Sequence, residues 1–521
     1  MNNAATPLLK FGVLTDNHLS PALPQNIRRT EQVFQLFQQH HVDAVVNCGD
    51  ITDRYDPEMI AEHNRIFDQV FANGGKPEKV WIAAGHDVAQ SPDKEKAYAE
   101  IACLLDSGGL TFVKEIKGFI FIGISQEQPW NILEELLQKS YRNDGKPVFV
   151  ITHEPPLNTV LKSEHHFFRD LRNILNRYPD CINISGHTHT PVMLDNNIWQ
   201  GEFSAVNAGS LFYWKDIPLG TASRKLDSCN AMIVEVYDHQ IRIRRFDMLT
   251  GTETENPWSW SLPYRQENAP YVPSLRSETF AIPEFSAGTG FRLEFDAIPF
   301  CHAICKFPAI TPFEAFHHLR MELMEEQNGI MVPVSVFDFC NDYRCDTDHS
   351  CTEIPVGLLK GNGNYKIKMT PMNLYGKAGK SVTLSFQTPE CGLTQLPYAG
   401  DTGILRENGS VSMMPEFTTT TDMETVHILL HGELQKHKDV PLFVVLEIES
   451  EHRGNPAILM AHGDRPDYGR HYLPSGKTGV LRQSFALSHL TGNRYSIFLG
   501  EGTPGKYKIC SIKYFKITTT P

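Results

Sequence analysis

The stretch VDAVVNCGDITD, residues 42–53, joins a short apolar run to a polar cluster. Residues 42–48 form a mostly apolar run with several valines, which is typical of a buried strand in an α/β sheet. Gly49 and Asp50 follow directly, and Asp53 comes shortly after them. The stretch therefore predicts a buried strand that ends in candidate ligands.

The same pattern recurs along the first half of the chain. Short apolar runs predict further strands at residues 8–15, 80–84, 147–152 and 181–185. Between them, apolar side chains such as Val33, Phe34 and Phe37 recur at helical spacing and predict helices that cover the sheet. We therefore expect an α/β domain up to about Asp247.

Polar side chains that can bind metal follow each predicted strand. They are Asp16 and His18, Asp50 and Asp53, His86 and Asp87, His153, and His187 with His189. The carboxyl ends of strands in an open α/β sheet are where ligands bind, so these side chains are expected to converge. Taken singly, each of these residues could have a role other than metal binding, since an aspartate can cap a turn and a histidine is often a hydrogen-bonded loop residue. Together they predict a metal site.

The mixture of carboxylates and imidazoles suits iron, manganese or zinc better than calcium. Two divalent cations that lie close together need anionic oxygen between them. Asp50 is the predicted bridging ligand, and we expect two divalent transition-metal ions.

The motifs DNH at 16–18, GDITD at 49–53, GHD at 85–87 and GHTH at 186–189, together with His153, resemble those of the calcineurin-like metallophosphoesterase superfamily. Within that superfamily, the chain most resembles bacterial enzymes similar to class III cyclic-nucleotide phosphodiesterases. The resemblance covers about the first half of the chain. It implies an α-β-β-α sandwich that hydrolyses a phosphate ester by attack of a metal-bound hydroxide.

The resemblance also implies a role for each residue. The first metal would be held by Asp16, His18, Asp50 and His189. The second metal would be held by Asp50, His153 and His187. His86 corresponds to the catalytic histidine of the family, which stabilises the transition state or protonates the leaving oxygen. Asp53 and Asp87 are expected to orient ligands or cap helices from outside the ligand set.

One position departs from the family pattern. Gly85 stands where the family usually has an asparagine that binds the second metal. Glycine offers no side chain, so three alternatives are open: water completes the coordination, a neighbour such as Asn17 or Asp87 substitutes, or the second metal binds weakly.

A phosphodiesterase acting on a cyclic nucleotide or another small diester is the favoured function. The alternatives are a phosphomonoesterase and a catalytically weakened binding or scaffold protein that keeps the fold. The chain has 48 Lys+Arg and 61 Asp+Glu, a net charge of −13, so its average surface repels duplex nucleic acid. A small phosphate ester remains the expected partner.

Beyond Gly251, Pro, Gly, Thr and Ser interrupt short alternating runs, which predicts all-β domains. The predicted limits are a phosphoesterase domain at 1–255, a linker at 256–274, a fibronectin type III-like sandwich at 275–389 and a C-terminal β-sandwich, in one alternative a jelly roll, at 390–521. Residues 365–386 resemble the closing strands of a fibronectin type III domain. Because all 6 tryptophans lie at or before Trp260, glycan binding by the C-terminal domain is less favoured than a structural or substrate-capping role.

The sequence shows neither a secretory leader nor an apolar run long enough to span a membrane, which predicts a cytoplasmic protein. A trimmed leader would instead fit a secreted or periplasmic protein, in which fibronectin-like modules are common.

The 11 cysteines are an odd number, so they cannot all be paired. Five of them lie close together in the sequence: Cys301, Cys305, Cys340, Cys345 and Cys351. They could form a zinc site or two disulfides, but incidental or buried thiols are the favoured interpretation.

Overall fold

The structure is a computed structural model of the chain. It describes residues 6–164, 169–215, 225–287, 290–295, 303–340, 351–354, 362–388, 392–396, 403–406, 411–413, 416–418, 424–429, 442–450, 457–462, 465–472, 479–487, 494–499 and 506–518. The described residues divide into two compact units, one up to Phe280 and the other from Ala281 onward.

The first unit alternates strands and helices. Its strands are β1 (Leu9–Leu14), β2 (Ala44–Asn47), β3 (Glu78–Trp81), β4 (Thr111–Ile116), β5 (Phe119–Ile124), β6 (Val148–Ile151), β7 (Cys181–Ser185), β8 (Ile198–Gln200), β9 (Ser204–Asn207), β10 (Tyr213–Lys215), β11 (Lys225–Asp227), β12 (Asn230–Val236), β13 (Gln240–Asp247), β14 (Thr252–Glu253) and β15 (Trp258–Ser261). Its helices are α1 (Pro24–Gln39), α2 (Pro57–Val70), α3 (Gly85–Val88), α4 (Lys94–Leu105), α5 (Trp130–Ser140), α6 (Arg169–Leu175) and α7 (Pro273–Thr279), with short 3₁₀ turns at Asp195–Asn197 and Gln266–Asn268.

These strands form two mixed sheets. One has the order β14-β13-β12-β1-β2-β3, with β15 also paired to β13, and the other has the order β4-β5-β6-β7-β9-β8. The strands predicted from apolar runs are present as β1, β2, β3, β6 and β7. Neighbours among β1, β2 and β3 run parallel, as do β5, β6, β7 and β9. Their carboxyl ends therefore lie at one edge of each sheet.

The two sheets pack face to face between layers of helix. Phe11 on β1 meets Phe121 on β5 and Phe149 on β6 with ring centroids 5.2 and 4.8 Å apart. On the other face of β1, the α1 residue Phe37 packs directly on Gly12. Helices α5 and α6 bury leucines such as Leu133 against the second sheet. The first unit is thus an α-β-β-α sandwich.

Residues 256–274, predicted as a linker, lie in the first unit. Strand β15 pairs with β13, and its residues Trp258 and Trp260 are buried. Tyr271 follows, and its backbone N–H donates to Gln200 of β8. Alternation of tryptophan with serine makes one face of β15 apolar, so this segment packs as a strand despite its prolines. The remaining domain limits stay predictions.

The second unit consists mainly of strands. They are β16 (Glu284–Phe285), β17 (Arg292–Phe295), β18 (Ala303–Lys306), β19 (Ile310–Thr311), β20 (His318–Gln327), β21 (Ile330–Cys340), β22 (Cys351–Ile354), β23 (Asn364–Met372), β24 (Val382–Gln387), β25 (Gly392–Gln395), β26 (Gly403–Arg406), β27 (Val411–Met413), β28 (Glu416–Thr418), β29 (Glu424–Leu429), β30 (Leu442–Ser450), β31 (Ala457–His462), β32 (Arg465–Tyr472), β33 (Gly479–Leu487), β34 (Arg494–Leu499) and β35 (Lys506–Thr518), with a 3₁₀ turn at Phe313–Ala315.

Two antiparallel sheets in this unit enclose an apolar core. Their orders are β17-β18-β22 and β21-β20-β23-β24, and Cys305 on β18 packs against Met369 on β23 with sulfur atoms 3.3 Å apart. Cys305 is a buried free thiol. The side chains of Cys301, Cys340, Cys345 and Cys351 lie outside the described residues. This region is therefore a β-sandwich.

Further along, the described strands form two more antiparallel sheets, with the orders β25-β35-β30-β33, where β28 also pairs with β35, and β27-β26-β29-β34-β31-β32. Among the residues that the structure describes, no helix has the length and apolar character needed to cross a membrane.

Candidate metal centre

The loops that follow β1 and β2 lie side by side. The backbone N–H of Asp16 donates to the Gly49 carbonyl at 3.0 Å, and that of His18 donates to the Asp50 carbonyl at 3.0 Å. The parallel pairing of the two strands thus continues into their loops. This places both polar clusters together at the carboxyl edge, as the sequence predicts.

Most of the candidate ligands have a left-handed backbone. The φ angles are 52° at Asp16, 46° at His18, 52° at Asp50, 68° at His187 and 50° at His189. Positive φ is uncommon for residues other than glycine and costs conformational energy. Its concentration at the sheet edge indicates that the loops are shaped to turn these side chains toward one place.

One group of potential ligands consists of Asp16, His18 and His189, whose ligand atoms lie within 4.8 Å of one another. Nε2 of His189 is 3.0 Å from Oδ1 of Asp16, and Nε2 of His18 is 3.8 Å from the same oxygen. The two Nε2 atoms are 3.4 Å apart. All three side chains are buried.

The other nitrogen of His189 fixes its tautomer. Nδ1 lies 2.9 Å from the carbonyl oxygen of Tyr213, and a carbonyl can only accept, so Nδ1 carries the proton. In the neutral ring the lone pair of Nε2 then faces the Asp16 carboxylate. Tyr213 also stacks on the His189 ring, with centroids 4.2 Å apart, and so holds its orientation.

A second group consists of Asp16, Asp50 and His153, again within 4.8 Å. Nε2 of His153 lies 3.1 Å from Oδ2 of Asp50, while its Nδ1 donates to the Cys48 carbonyl at 2.9 Å. Asp16 is common to both groups. Asp50, the predicted bridging residue, belongs to the second group.

His187 lies beside His153, with ring centroids 5.2 Å apart in an edge-to-face arrangement. Its backbone N–H donates to Oδ2 of Asp16 at 3.0 Å. Its ring is less deeply buried than those of the other predicted histidine ligands. His187 therefore lies beside a member of the second group, and its backbone holds Asp16.

Burial and charge shift the pKa values of these groups in opposite directions. Burial alone would lower the pKa of His18, but the carboxylates of Asp16, Asp53 and Asp50 raise it to about 9. Burial would also lower the pKa of His153, but the charge of Asp50 outweighs this effect and raises the pKa to about 10. The pKa of Asp50 is lowered, because the charge of His153 outweighs burial. The site therefore stabilises positive charge among its carboxylates.

The residues fit divalent cations. Oδ1 of Asp16 is buried and makes no hydrogen bond, although two imidazole nitrogens approach it. Lone pairs of His18 and His189 that face one carboxylate oxygen repel it unless a proton or cation lies between them. Mixed imidazole and carboxylate donors suit transition metals. Asp16, His18, His189, Asp50, His153 and His187 are the residues that would hold such ions.

His86 sits at the exposed rim of this site. Its Nδ1 lies 2.9 Å from the Asp53 carbonyl, its ring packs edge-to-face on His18 at 4.6 Å, and its backbone N–H donates to Oδ1 of Asp50 at 2.9 Å. The remaining nitrogen, Nε2, is left for a ligand at the surface. Oδ1 of Asp53 approaches Nδ1 of His18 at 3.5 Å.

Comparisons with known proteins address the family. Residues 9–191 match the family model described as calcineurin-like phosphoesterase. The N-terminal unit carries a calcineurin-like phosphoesterase domain. No curated protein matches the sequence.

Several solved structures are similar to about half of this chain at low identity. A dimetal phosphatase from Danio rerio is 10% identical, with 49% of this chain and 99% of that chain covered and a TM-score of 0.35. A purple acid phosphatase from yellow lupin (Lupinus luteus) seeds is 12% identical, with 49% and 53% covered and a TM-score of 0.36. Vacuolar Protein Sorting 29 from Cryptosporidium parvum is 14% identical, with 49% and 98% covered and a TM-score of 0.28.

The two substitutes suggested for the missing asparagine are engaged elsewhere in the phosphoesterase domain. Asn17 donates to Oγ1 of Thr30 at 2.9 Å and accepts from Asn47 at 3.0 Å. Asp87 accepts from the backbone N–H groups of Thr52 and Ala84, both at 2.8 Å. Burial and the nearby charge of Asp50 raise the pKa of Asp87 to about 6. Both side chains therefore brace the loops.

Sequence reasoning missed two polar side chains next to Gly85. Gln126 accepts a hydrogen bond from the Gly85 backbone N–H and donates to Glu154 at 2.7 Å. Gln126 follows the end of β5 as the recognised clusters follow β1, β2 and β7. A single glutamine after an apolar run gives no sequence signal for such a cluster. Glu154 directly follows His153.

Proposed function

We propose that the phosphoesterase domain hydrolyses a phosphate ester with the help of two divalent transition-metal ions, iron, manganese or zinc. The observation that carries this proposal is the buried Oδ1 of Asp16, which Nε2 of both His18 and His189 approach, at 3.8 and 3.0 Å. Such an arrangement of acceptors binds a cation well and is costly without one. The match of residues 9–191 to phosphoesterases agrees with it.

Each residue would have a separate task. Asp16, His18 and His189, with Asp50, would hold one ion, while Asp50, His153 and His187 would hold the other. The bound ions would supply Lewis-acid polarisation of a phosphoryl oxygen and a nucleophile at neutral pH. The carbonyls of Tyr213 and Cys48 keep His189 and His153 in the tautomer whose Nε2 is a ligand.

His86 would serve the leaving group. Because Nδ1 donates to the Asp53 carbonyl, Nε2 is the nitrogen that meets substrate. A protonated His86 can donate from Nε2 to the leaving oxygen, or to a phosphoryl oxygen as its negative charge grows. The exposure of His86 at the rim supports contact with a substrate that enters from solvent.

As substrate we propose a small phosphodiester, with cyclic nucleotides included in that class, on the basis of the motif resemblance. A net charge of −13 argues against duplex nucleic acid as the partner.

The second unit would have a structural or substrate-capping role, in preference to glycan binding. Its sheet orders β17-β18-β22 and β21-β20-β23-β24 support a fibronectin type III-like sandwich. We also propose a cytoplasmic location, which is supported by free thiols at Cys48, Cys103, Cys181 and Cys305 in the part of the chain that the structure describes.

The test is an assay of the full chain after removal of bound metal by a chelator. Bis-p-nitrophenyl phosphate, p-nitrophenyl phosphate and a panel of cyclic nucleotides are offered with and without Mn²⁺. Mn²⁺-dependent turnover of the diesters above the monoester supports the proposal. Preference for the monoester would identify a phosphomonoesterase, and metal uptake without turnover of any substrate would identify a binding protein that keeps the fold.

A further inference from the structure

The space beside Gly85 is filled by another side chain. A Cβ atom placed on Gly85 would lie 3.0 Å from Oε1 of Gln126, 3.5 Å from its Cδ and 3.6 Å from its Nε2. The carboxamide of Gln126 therefore lies where the side chain of an asparagine at position 85 would begin. Gln126 reaches this place from the other sheet, since it follows β5 and its backbone N–H donates to the Ala83 carbonyl at 3.0 Å.

The orientation of this amide is determined by its partners. The backbone N–H of Gly85 can only donate, so the atom it meets must be Oε1. With Oε1 at Gly85, the other amide atom is Nε2, and it donates to the Glu154 carboxyl group at 2.7 Å. The amide oxygen thus faces Gly85 and retains a second lone pair.

The residues adjacent to this pair belong to the metal centre. His86, next to Gly85, donates its backbone N–H to Oδ1 of Asp50. His153, next to Glu154, approaches Oδ2 of the same aspartate. Gln126 and Glu154 therefore lie between two chain segments that both contact Asp50.

We propose that the carboxamide oxygen of Gln126 takes the place of the missing asparagine as a neutral ligand of the second cation, with Glu154 holding the amide in position. This inference rests on the proposed two-metal function. An amide oxygen adds a ligand without adding charge, as asparagine does, and the longer side chain of glutamine lets it come from β5. In this chain the amide ligand is therefore supplied by Gln126 after β5 and not by residue 85.

The test measures metal binding in the full chain. Metal-free protein is titrated with Mn²⁺ by calorimetry, and the spin-coupled Mn²⁺ pair is followed by electron paramagnetic resonance. Gln126→Ala should weaken the second Mn²⁺ by at least about 10-fold, the scale of losses at metal-site supporting residues, and should leave the first unchanged. Gln128→Ala, the same change two residues away, should behave as the parent does.

Two further variants decide between neighbouring explanations. Gly85→Asn in the Gln126→Ala background should restore the second site, because the Gly85 backbone does not require positive φ and the obstructing side chain is gone. Glu154→Gln keeps an acceptor for Nε2 of Gln126, so it should cost less affinity than Gln126→Ala. A larger loss in Glu154→Gln would make Glu154 the ligand and overturn the inference.

The outcomes separate this inference from the proposed function. Two Mn²⁺ ions bound with equal affinities by the parent and by Gln126→Ala would overturn the role of Gln126 and leave the two-metal function standing. A folded parent that takes up no Mn²⁺ would overturn both. Failure of Gly85→Asn to restore the second site in folded protein would overturn the exchange of asparagine for Gln126.

Discussion

Nε2 of His153 lies 3.1 Å from Oδ2 of Asp50, and Nδ1 of the same ring lies 2.9 Å from the Cys48 carbonyl. The carbonyl orients the ring so that Nε2 faces the Asp50 carboxylate. Oδ1 of Asp50 meanwhile accepts from the His86 backbone. One carboxylate therefore joins the candidate ligands to the candidate general acid.

Replacing Asp50 with asparagine tests this position. The amide can still accept from the His86 backbone, so folding should be retained, but the negative charge between the cations is lost. We expect metal content to fall and turnover to drop by more than about 100-fold, since even outer-sphere changes at metal sites cost about 10- to 100-fold. Asp68→Asn, at an exposed ion pair with Lys76, is the matched control. Parental turnover in Asp50→Asn would contradict the bridging role.

Removal of the His86 ring should separate catalysis from metal binding. His86→Ala should keep its metal, because the ring is predicted to serve substrate, and should lose about 10²- to 10⁴-fold in turnover, the usual contribution of general acid catalysis. The loss should be larger for an alkyl ester than for a p-nitrophenyl ester, whose leaving group needs no proton. His239→Ala, at an exposed histidine, is the control. An equal loss for both esters would argue against proton donation.

Two glycines allow the site and the fold to be perturbed separately. A Cβ at Gly186 would collide with Oγ1 of Thr15 and Oδ2 of Asp16, whereas a Cβ at Gly12 would come within 2.5 Å of the Phe37 ring. Gly186→Ala should therefore displace the Asp16 carboxylate and weaken Mn²⁺ binding. Gly12→Ala should lower stability by about 1–3 kcal/mol through overpacking and keep Mn²⁺ affinity. Calorimetry and thermal unfolding measure the two effects, and equal Mn²⁺ affinity in both variants would contradict the assignment.

His63 predicts a pH dependence of stability away from the metal centre. Its ring is buried between Phe34 and Trp81, and burial, aided by the charge of Lys79, lowers its pKa from 6.5 to about 3. The unfolded chain therefore takes up a proton below about pH 6.5 that the folded chain refuses. Stability should fall with decreasing pH in this range, by at most about 1.4 kcal/mol per pH unit.

The variant His63→Gln removes this titration and keeps an acceptor for the Asn47 amide, which lies 3.3 Å from Nε2 of His63. Its thermal midpoint should decline less steeply than that of the parent between about pH 6.5 and 5. Because all 6 tryptophans lie at or before Trp260, tryptophan fluorescence follows the first unit. His239→Gln serves as the exposed control, and parallel curves for His63→Gln and the parent would contradict the prediction.

The sequence predicted the strands at the centre of the sheets because they are buried on both faces, which makes them continuous apolar runs such as residues 44–47. The candidate ligands could be predicted as well, because they stand directly after these apolar runs. The pairing of β12 with β1 cannot be predicted from a local pattern, since it joins segments far apart in sequence. Gln126 was missed because a single glutamine after an apolar run has no recognisable spacing to its partner Gly85. Contacts between the ends of two different sheets leave no local pattern.

The position of β12 has a consequence for how the chain is made. Leu9 pairs with Val236 and Val13 with Met232, so one edge of β1 stays open until a segment more than two hundred residues later has been synthesised. An unpaired apolar strand is a template for association with other chains, and such long-range pairing forms slowly. During translation, the nascent first unit therefore emerges with an exposed edge, and a fragment ending at residue 191, where the family match stops, would keep that edge permanently.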